Sequence, residues 1–333
     1  MTAALSAVSE YVLDTDTFTL TVVDRSDLAD AIIGITLRAP EGQLLPAWEP
    51  GAHVQITVEE NGQQFVRSYS LCGDPDDRRH FRIAVLNCAD GSGGSAAVHR
   101  VVRSGDSLVV SRPRNLFEFR PDPTRPVFFI AGGIGVTPLL PMVHEAVRRG
   151  MDWQALYLGR NPSAMALCDE LTGYAVAAQQ VRIHHSGVNG TFDLAQLVSE
   201  FPSGTQVYAC GPEPLLSALT ELHEQGTGWE LQLERFAAPA TGAVDTAFEV
   251  VAQSTGETYQ VSAGCSVLSV LRERGFEIEF SCATGVCGTC ETAVLEGEPE
   301  HRDAVLTDDE RASNETMMIC VSRAKSARLV LDI

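Results

Sequence analysis

The sequence predicts a multidomain protein with an antiparallel β-barrel, an α/β domain built on a parallel sheet, and a small C-terminal domain rich in strands. The 333 residues exceed the size of one ordinary domain. Near residue 123 the pattern changes from short strands separated by turns to strands that alternate with helices. Four of the nine cysteines lie within about the last fifty residues. The predicted boundaries are residues 15–122 for the barrel, 123–236 for the α/β domain, 237–246 for a linker and 247–333 for the last domain.

The barrel is predicted from short runs of β-branched and aromatic residues, each closed by Gly, Asn or Asp. Such runs are typical of an antiparallel barrel or sandwich. One short helix is predicted at residues 95–103. Examples of the predicted strands are residues 18–24, 53–59, 65–71, 81–86 and 107–111.

The α/β domain is predicted from apolar strands that are each followed by helical sequence. The first strand, residues 127–131, leads into a helical stretch that ends near residue 149, and this alternation is typical of a parallel sheet. Further buried strands are predicted at residues 155–158, 181–184 and 206–209. Residues 237–245 (AAPATGAVD) are small and polar, as in a linker. The last domain is predicted to place its strands around one helix at residues 266–274.

Composition narrows the class of function. The chain has 44 acidic and 24 basic residues and a net charge of −20. Because an acidic surface repels phosphate backbones, nucleic acid is not an expected partner; the charge serves either solubility or docking onto a basic protein. The apolar stretch at 127–143 is interrupted by glycines and prolines, which indicates a strand, a turn and a helix start instead of a membrane span. The first 17 residues lack the features of a signal peptide, so we expect a cytoplasmic protein with no membrane segment. We also expect a monomer.

The strongest motif is a cluster of cysteines near the C-terminus. Cys282, Cys287 and Cys290 follow the spacing C-x4-C-x2-C, and Cys320 comes thirty positions later. This is the spacing of plant-type [2Fe–2S] clusters, in which four thiolates hold two irons. Glycines within the loop permit unusual dihedral angles, so that backbone amides can point at the sulfurs. A four-cysteine zinc site is the alternative, although zinc sites more often pair two short C-x2-C motifs.

A second motif, Arg67-Ser68-Tyr69-Ser70, ends a predicted strand and precedes a glycine-rich turn. The turn, residues 90–95 (DGSGGS), feeds a predicted helix, and amides at a helix N-terminus attract an anion. An arginine beside such amides supplies what a flavin phosphate needs. Taken alone, the motif is also compatible with a strand that carries an ordinary exposed arginine and a half-buried tyrosine.

A third motif places glycines between a strand and a helix, at residues 129–138 (FIAGGIGVTP). There they let a pyrophosphate approach the backbone, although the spacing is not that of the G-x-G-x-x-G fingerprint. A second turn of this kind, at residues 208–212 (YACGP), ends the predicted strand 206–209. Ligands bind where the carboxyl ends of parallel strands meet. Each turn alone is compatible with a tight connection, and Cys210 with a buried apolar filler. The candidate nicotinamide-binding residues are Gly132, Gly133, Gly135, Thr137, Cys210, Gly211 and Pro212.

The C-terminal segment resembles plant-type ferredoxins. Residues 281–290 (SCATGVCGTC), 306–310 (LTDDE), 320–323 (CVSR) and 329–333 (LVLDI) closely match the ferredoxin domains that end the reductases of aromatic-ring dioxygenases and O-demethylases. The resemblance covers nearly all of the last domain. It implies a β-grasp fold whose cluster ligands are Cys282, Cys287, Cys290 and Cys320.

The other two motifs resemble the ferredoxin-reductase superfamily, in its FMN branch typified by phthalate dioxygenase reductase. By that resemblance, Tyr69 packs on the flavin ring, Phe236 covers it, Ser70 hydrogen-bonds near its N5 and Cys210 lies near the nicotinamide; Ser70 and Cys210 are thus the candidate catalytic residues. Phosphate contacts are implied for Arg67, Gly93, Gly94 and Ser95, with Ser68 in the same flavin-binding motif.

The resemblance implies a reductase that passes electrons from NADH through FMN to a [2Fe–2S] cluster, and on to a Rieske-type terminal oxygenase of aromatic catabolism. A haem-thiolate monooxygenase or a reductive dehalogenase is the alternative acceptor. A redox-sensing protein with vestigial nucleotide sites is a different class, which the intact flavin and nicotinamide motifs oppose. NADPH would require a basic residue for its 2′-phosphate, for which Arg160 is the obvious candidate, but the family branch favours NADH.

Overall fold

A computed structural model describes residues 11–12, 16–88, 93–177, 179–226, 228–238, 245–280 and 282–333. Parts of two sequence predictions, the glycine-rich turn at 90–92 and the linker at 239–244, lie outside the described residues, as does Ser281. The chain divides into two compact units, Met1–Glu234 and Arg235–Ile333. Each is described by itself.

The first unit begins with antiparallel strands and one short helix. These elements are β1 (Tyr11–Val12), β2 (Thr17–Ala29), β3 (Ile32–Arg38), β4 (Gln43–Leu44), β5 (Ala52–Glu60), β6 (Gln63–Ser70), β7 (His80–Leu86), α1 (Gly94–Val101), β8 (Ser107–Ser111) and β9 (Arg114–Asn115).

Most of these strands form one sheet that curls into a barrel. Its strand order is β6-β5-β8-β2-β3-β7, with β9 paired to β5. Beyond the end of β6, Leu71 bridges to Ile83 of β7, which brings the two edge strands together. Inward-facing Leu20, Ile35 and Phe81 are fully buried in the barrel core, as the alternation of apolar residues along the strands requires.

The first unit continues as alternating strands and helices. These are β10 (Val127–Gly132), α2 (Val136–Arg148), β11 (Trp153–Gly159), α3 (Cys168–Gly173), β12 (Val181–His185), α4 (Ser186–Asn189), α5 (Leu194–Ser199), β13 (Gln206–Cys210), α6 (Glu213–Glu224) and β14 (Glu230–Glu234), with 3₁₀ turns at Gly133–Gly135 and Pro162–Ala164.

The five strands pair in parallel in the order β12-β11-β10-β13-β14. The central strand β10 is buried along its whole length, because apolar clusters cover both faces of the sheet. The barrel and the sheet also contact each other: Arg82 forms a two-pronged ion pair with Glu170, at 2.6 and 2.8 Å, and Phe119 packs edge-on against Tyr208.

The second unit is a small mixed sheet with two short helices. Its elements are β15 (Phe248–Ala252), β16 (Thr258–Val261), α7 (Val267–Glu273), β17 (Glu291–Glu296), β18 (Pro299–Glu300), α8 (Asp308–Ser313), β19 (Thr316–Met318), β20 (Arg323–Ala324) and β21 (Arg328–Leu331). The main sheet has the order β16-β15-β21-β17-β19, and β18 pairs with β20.

The helices of this unit begin with side-chain caps. The hydroxyl of Ser266 caps α7, and Thr307 with Glu310 forms a capping box at α8. Valine and leucine side chains of α7 then pack into the core of the sheet. Among the described residues, no helix of the chain combines the length and the apolarity that crossing a bilayer requires.

The predicted fold class is confirmed. The strands that were not predicted include β3 and β14, and β2 extends five residues beyond the predicted end at residue 24. The long β2 contains two register shifts against β3, and such bulges interrupt the alternation on which a strand prediction depends. Residue ranges for the domains, in particular the boundary at 122/123 within the first unit, stay a prediction.

Candidate active site

The arginine motif lies at the end of β6, where the strand pairs with the start of β5. In this register Tyr69 faces Val54 and Ser70 faces His53. Two hydroxyls of the motif, Ser68 Oγ and Tyr69 Oη, are buried and have no hydrogen-bond partner among the described residues. Burial also raises the pKa of Tyr69, so its hydroxyl stays protonated. Because orphaned buried hydroxyls are costly, this strand end fits a polar ligand.

The glycine turn brings a helix N-terminus to Arg67. Gly93 has φ 81°, a left-handed conformation that favours glycine, and α1 starts at the next residue without a side-chain cap. A Cβ on Gly94 would lie 2.3 Å from Arg67 Nε, so only glycine lets the guanidinium approach the helix start this closely. Ser95 Oγ accepts a hydrogen bond from Cys88 N at 3.1 Å and keeps its own proton to donate.

This arrangement fits the phosphate of a flavin mononucleotide. An arginine and uncapped first-turn amides converge, which are the donors that a phosphate prefers. Ser68 and Tyr69 stand on the same strand as Arg67 and offer hydroxyls to the rest of the ligand. A bound flavin would supply the conversion of two-electron into one-electron transfer, while the protein supplies binding and orientation.

The two glycine turns of the parallel sheet are in contact. A Cβ on Gly135 would lie 2.2 Å from the carbonyl oxygen of Cys210, and one on Gly211 would lie 3.0 Å from Gly132 Cα. Side chains at these positions would push the turns apart, so glycine is required by close approach. Gly133 has φ 53° and nothing within 4 Å of its Cβ position, which leaves one side of the turn open to a ligand.

Two other residues of the nicotinamide motifs have structural contacts. Thr137 is 2% exposed and donates from Oγ1 to the carbonyl of Ile134 at 2.9 Å, so its hydroxyl holds the 3₁₀ turn in place. Pro212 precedes α6, and its Cδ would lie 2.6 Å from a Cβ on Gly132. Both residues shape the crevice at the carboxyl ends of β10 and β13, where open α/β sheets bind ligands.

A carboxyl group that sequence reasoning missed lies beside Cys210. Cys210 and Glu234 are register partners on β13 and β14, and Cys210 Sγ is 4.0 Å from Glu234 Oε2. Burial raises the pKa of Glu234 to about 8, and burial with the nearby carboxyl raises the pKa of Cys210 well above its ordinary value. Glu234 as a residue keeps partial exposure. Both groups are therefore mostly protonated and uncharged near pH 7.

Glu234 gives a pH dependence with a definite sign. Its folded pKa is raised from 4.5 to about 8, so between these values the unfolded chain has released a proton that the folded chain retains. Stability of the first unit therefore falls as pH rises from about 4.5 to about 8. Because Glu234 is partly exposed, we expect a loss of about 2 kcal/mol, less than the full linkage value. Urea unfolding at several pH values measures it.

The matched variants are Glu234→Gln and Glu224→Gln. An amide cannot ionise, so Glu234→Gln removes this part of the slope, whereas Glu224, exposed at the end of α6, leaves it unchanged. Tryptophan fluorescence is selective for the first unit, because Trp48, Trp153 and Trp229 all lie there. Equal slopes in wild type and Glu234→Gln would show that the carboxyl is not protonated when folded.

The four predicted cluster cysteines come together in the second unit. Cys282, Cys287 and Cys290 lie on the loop before β17, and Cys320 follows β19, which pairs with β17. The side chain of Cys282 lies within hydrogen-bond distance of those of Cys287 and Cys320, and the side chain of Cys290 lies within such distance of that of Cys320. All four sulfurs are thus linked through neighbouring contacts.

The loop backbone points amides at the sulfurs, as predicted. The amides of Thr284 and Val286 lie 3.3 and 3.4 Å from Cys282 Sγ, and that of Cys282 lies 3.4 Å from Cys287 Sγ. The loop bends through positive φ values of 75° at Gly285 and 77° at Gly288. These amides stabilise thiolate charge.

The donor set fits an iron–sulfur cluster, because Cys282, Cys287, Cys290 and Cys320 lie close together and three of them share one loop. Two irons with their bridging sulfides occupy more space than one ion, and they take four thiolates in this spacing. A bound cluster would supply a one-electron carrier; Cys282, Cys287, Cys290 and Cys320 would hold it.

Two further candidates are Phe236 and Arg160. Phe236 belongs to the second unit, follows β14 by two residues and is 40% exposed. Its flavin contact stays a prediction. Arg160 follows the end of β11, and its carbonyl accepts a hydrogen bond from Gly187 N at 2.8 Å. It therefore lies at the edge of the sheet formed by the carboxyl ends of the strands, where open α/β sheets bind ligands.

Barrel, parallel sheet and cysteine loop together define an oxidoreductase that carries a ferredoxin domain. Residues 250–325 match the 2Fe-2S iron-sulfur cluster binding domain family. The structure superposes on phthalate dioxygenase reductase, described as a modular structure for electron transfer from pyridine nucleotides to [2Fe–2S], with a TM-score of 0.77, 34% identity and coverage of 95% of this chain and 98% of that one. The chain belongs to the phthalate dioxygenase reductase-like family of oxidoreductases.

Two other matches bear on function. The carnitine monooxygenase reductase subunit of Escherichia coli (strain K12) is 39% identical, over 96% of this chain and 99% of that protein. An intact type IV self-sufficient cytochrome P450 monooxygenase matches with a TM-score of 0.73 and 37% identity, over 95% of this chain but 41% of the larger protein. The same three-part arrangement is thus similar to parts of different oxygenase systems.

Proposed function

We propose that this chain is the reductase component of a multicomponent oxygenase, taking electrons from NADH through FMN to its [2Fe–2S] cluster. The observation that carries the proposal is the presence in one chain of a phosphate cradle at Arg67 and Gly94, two touching glycine turns, and four neighbouring cysteines. Each part fits one carrier. The family relationship supports the same order of transfer.

The chain's own residues bind and orient the carriers. Arg67 and the amides of α1 hold a phosphate, and the hydroxyls of Ser68 and Tyr69 bond to the flavin. The turns at Gly132, Gly133, Gly135, Gly211 and Pro212 shape the nicotinamide crevice. Cys210 and Glu234 present neutral groups at its end. Ser70, which is buried at the end of β6, hydrogen-bonds near the reacting edge of the flavin.

The electron acceptor is a separate terminal oxygenase, for which a Rieske type that acts on an aromatic compound is our first assignment. Phthalate dioxygenase reductase supports it, while the carnitine system widens the substrate class beyond aromatic compounds. A net charge of −20 favours a partner with a basic docking face. We place the protein in the cytoplasm as a monomer, with the flavin domain at 15–122 and the nucleotide domain at 123–236.

A haem-thiolate monooxygenase is the second candidate acceptor. The self-sufficient cytochrome P450, in which a chain segment similar to this one is covalently joined to further sequence, favours it. Reconstituted turnover with each purified oxygenase separates the two acceptors, because only the native partner should couple NADH consumption to product formation.

Anaerobic titration with NADH tests the proposed sequence of carriers. We expect bleaching of both the flavin and the iron–sulfur absorption by NADH, and much weaker bleaching at equal concentrations of NADPH. NADPH carries a 2′-phosphate that needs an opposing cation, so Arg160→Ala is the matched variant. Equal response to both nucleotides would overturn the NADH assignment. A purified chain with flavin but no iron or sulfide would overturn the central claim and leave a flavin reductase.

A further inference from the structure

A buried aspartate, Asp303, belongs to a segment that packs against the cysteine loop. The electron transfer proposed above does not involve it. Its side chain is 0% exposed. One carboxyl oxygen accepts hydrogen bonds from the amides of Val305 and Leu306, at 3.0 and 2.9 Å, and the other accepts from Ser322 Oγ at 3.3 Å. A buried carboxylate is costly unless its oxygens are bonded. These three donors therefore define one position for it.

The backbone of this segment packs along the loop that carries the first three cysteines. Ala304 N donates to the carbonyl of Gly285 at 2.8 Å. A Cβ on Gly285 would lie 3.2 Å from Asp303 Cα, and one on Gly288 would lie 3.6 Å from Val305 Cγ1. Any shift of residues 303–305 would therefore move the loop at both of its glycines.

The carboxyl group itself reaches the turn that carries the fourth cysteine. Ser322 comes two residues after Cys320, is 0% exposed, and bonds from its amide to the carbonyl of Met318 at 2.9 Å. Its hydroxyl oxygen also accepts a hydrogen bond from Arg302 N at 3.1 Å. Ser322 is thus a fixed part of the turn, and its hydrogen bond to Asp303 ties that turn to the loop.

The neighbouring basic side chains of His301 and Arg311 do not hydrogen-bond to the Asp303 carboxylate. His301 Nδ1 and Arg311 Nη2 each lie 3.9 Å from an Asp303 oxygen, beyond hydrogen-bond distance. Arg311 Nη2 donates instead to the Asp303 carbonyl at 2.7 Å. All the hydrogen bonds of the carboxylate described here therefore go to its own turn and to the Cys320 turn.

We propose that Asp303 is a positioning residue for the iron–sulfur cluster. Through Ser322 on one side and the amides of Val305 and Leu306 on the other, it sets the separation between the three-cysteine loop and Cys320. The inference rests on the proposed function, since it takes the four cysteines as the cluster ligands. Four thiolates from two distant segments must meet one rigid cluster, so a shift of either segment strains the metal–sulfur bonds.

The test compares Asp303→Ala with Asp303→Asn in the full-length holoprotein. Asparagine can accept the two amide hydrogen bonds and donate to Ser322 Oγ, so it keeps the geometry without the charge, whereas alanine loses both. We expect Asp303→Ala to lose cluster absorption in EDTA about tenfold faster than wild type, the size of effect expected when one buried hydrogen-bonded group is removed. Its reduced EPR spectrum should also change, while Asp303→Asn keeps the wild-type spectrum.

Two more variants keep the test decisive. Ser322→Ala removes the hydrogen bond between Ser322 and Asp303 and should change the EPR spectrum in the same direction as Asp303→Ala. If Asp303→Ala does not fold, Ser322→Ala alone tests the proposal. Asp309→Asn removes a charge from an exposed position on α8 and should leave the cluster unchanged. Wild-type spectra and release rates in Asp303→Ala and Ser322→Ala would overturn the inference. Absence of iron and sulfide from the wild-type protein would overturn the proposed function instead.

Discussion

Replacing Cys320 with alanine is expected to abolish the iron–sulfur absorption while leaving flavin reduction by NADH intact. Alanine has no ligand atom, and a cluster held by three thiolates is exposed at one iron. Cys320 belongs to the second unit, whereas the flavin and nicotinamide motifs belong to the first. Loss of the cluster should therefore leave the binding of flavin and nucleotide unchanged. We expect reduction of cytochrome c, a one-electron acceptor, to fall to background, and that of a small dye to persist.

Cys265→Ala is the matched control for this experiment. Cys265 is an exposed cysteine of the same unit that no ligand motif includes, so its removal should change neither iron content nor electron transfer. Iron, sulfide and zinc analysis of all three proteins completes the comparison. Zinc in place of iron in the wild type, or full iron–sulfur absorption in Cys320→Ala, would contradict the assignment of the four cysteines.

The cysteine ligands could be predicted because most of the motif that identifies them lies within one short stretch of sequence. Three of them stand within nine residues, at a spacing that one cluster type requires, and the loop glycines appear in the same stretch. Asp303 shows the opposite case. In the sequence it belongs to a charged run, His301-Arg302-Asp303, which is typical of a solvated surface, yet its carboxyl is fully buried. Its partners, Ser322 above all, are distant in sequence and are found only in the folded unit.

The same distinction explains the strands that were missed. β3 is buried on both faces and contains Gly34, so it lacks the alternation that marks a half-buried strand. β14 (ELQLE) is an edge strand with acidic ends, which resembles a solvated segment. Glu234 at its end becomes a candidate functional residue only through its parallel pairing with Cys210. Pairing between distant strands is a tertiary property, and no window of sequence contains it.

The flavin motif lies between these cases, because its residue types were predictable but the reason for each glycine was not. Arg67 and the glycine turn were predicted as separate signals that a phosphate would unite. The structure adds that Gly94 is needed by Arg67 itself, since a Cβ there would lie 2.3 Å from Nε and 2.5 Å from Cζ. A glycine in a helix start is otherwise easily replaced.

Gly94→Ala is therefore expected to weaken FMN binding without unfolding the protein. The atoms that the new methyl group meets are at the far end of the flexible Arg67 side chain, so the guanidinium moves while the backbone stays, and alanine favours the helix. Loss of one charge-assisted phosphate contact should lower the affinity for FMN by about 10- to 100-fold. Fluorescence quenching of FMN by the flavin-free protein measures it, and thermal unfolding checks that the fold is retained.

Double-mutant analysis shows whether Arg67 transmits the effect. If Gly94→Ala acts by displacing the guanidinium, adding it to Arg67→Ala should weaken binding no further, because the contact is already gone. Gly173→Ala in α3, where a Cβ meets nothing within 4 Å, should bind FMN as wild type does. Wild-type affinity in Gly94→Ala, or additive losses in the double variant, would mean that Arg67 does not hold the phosphate from its position beside Gly94. Non-additive losses would instead show that Gly94 and Arg67 act together in binding the phosphate, because the absence of a side chain at Gly94 leaves the space that the Arg67 guanidinium occupies.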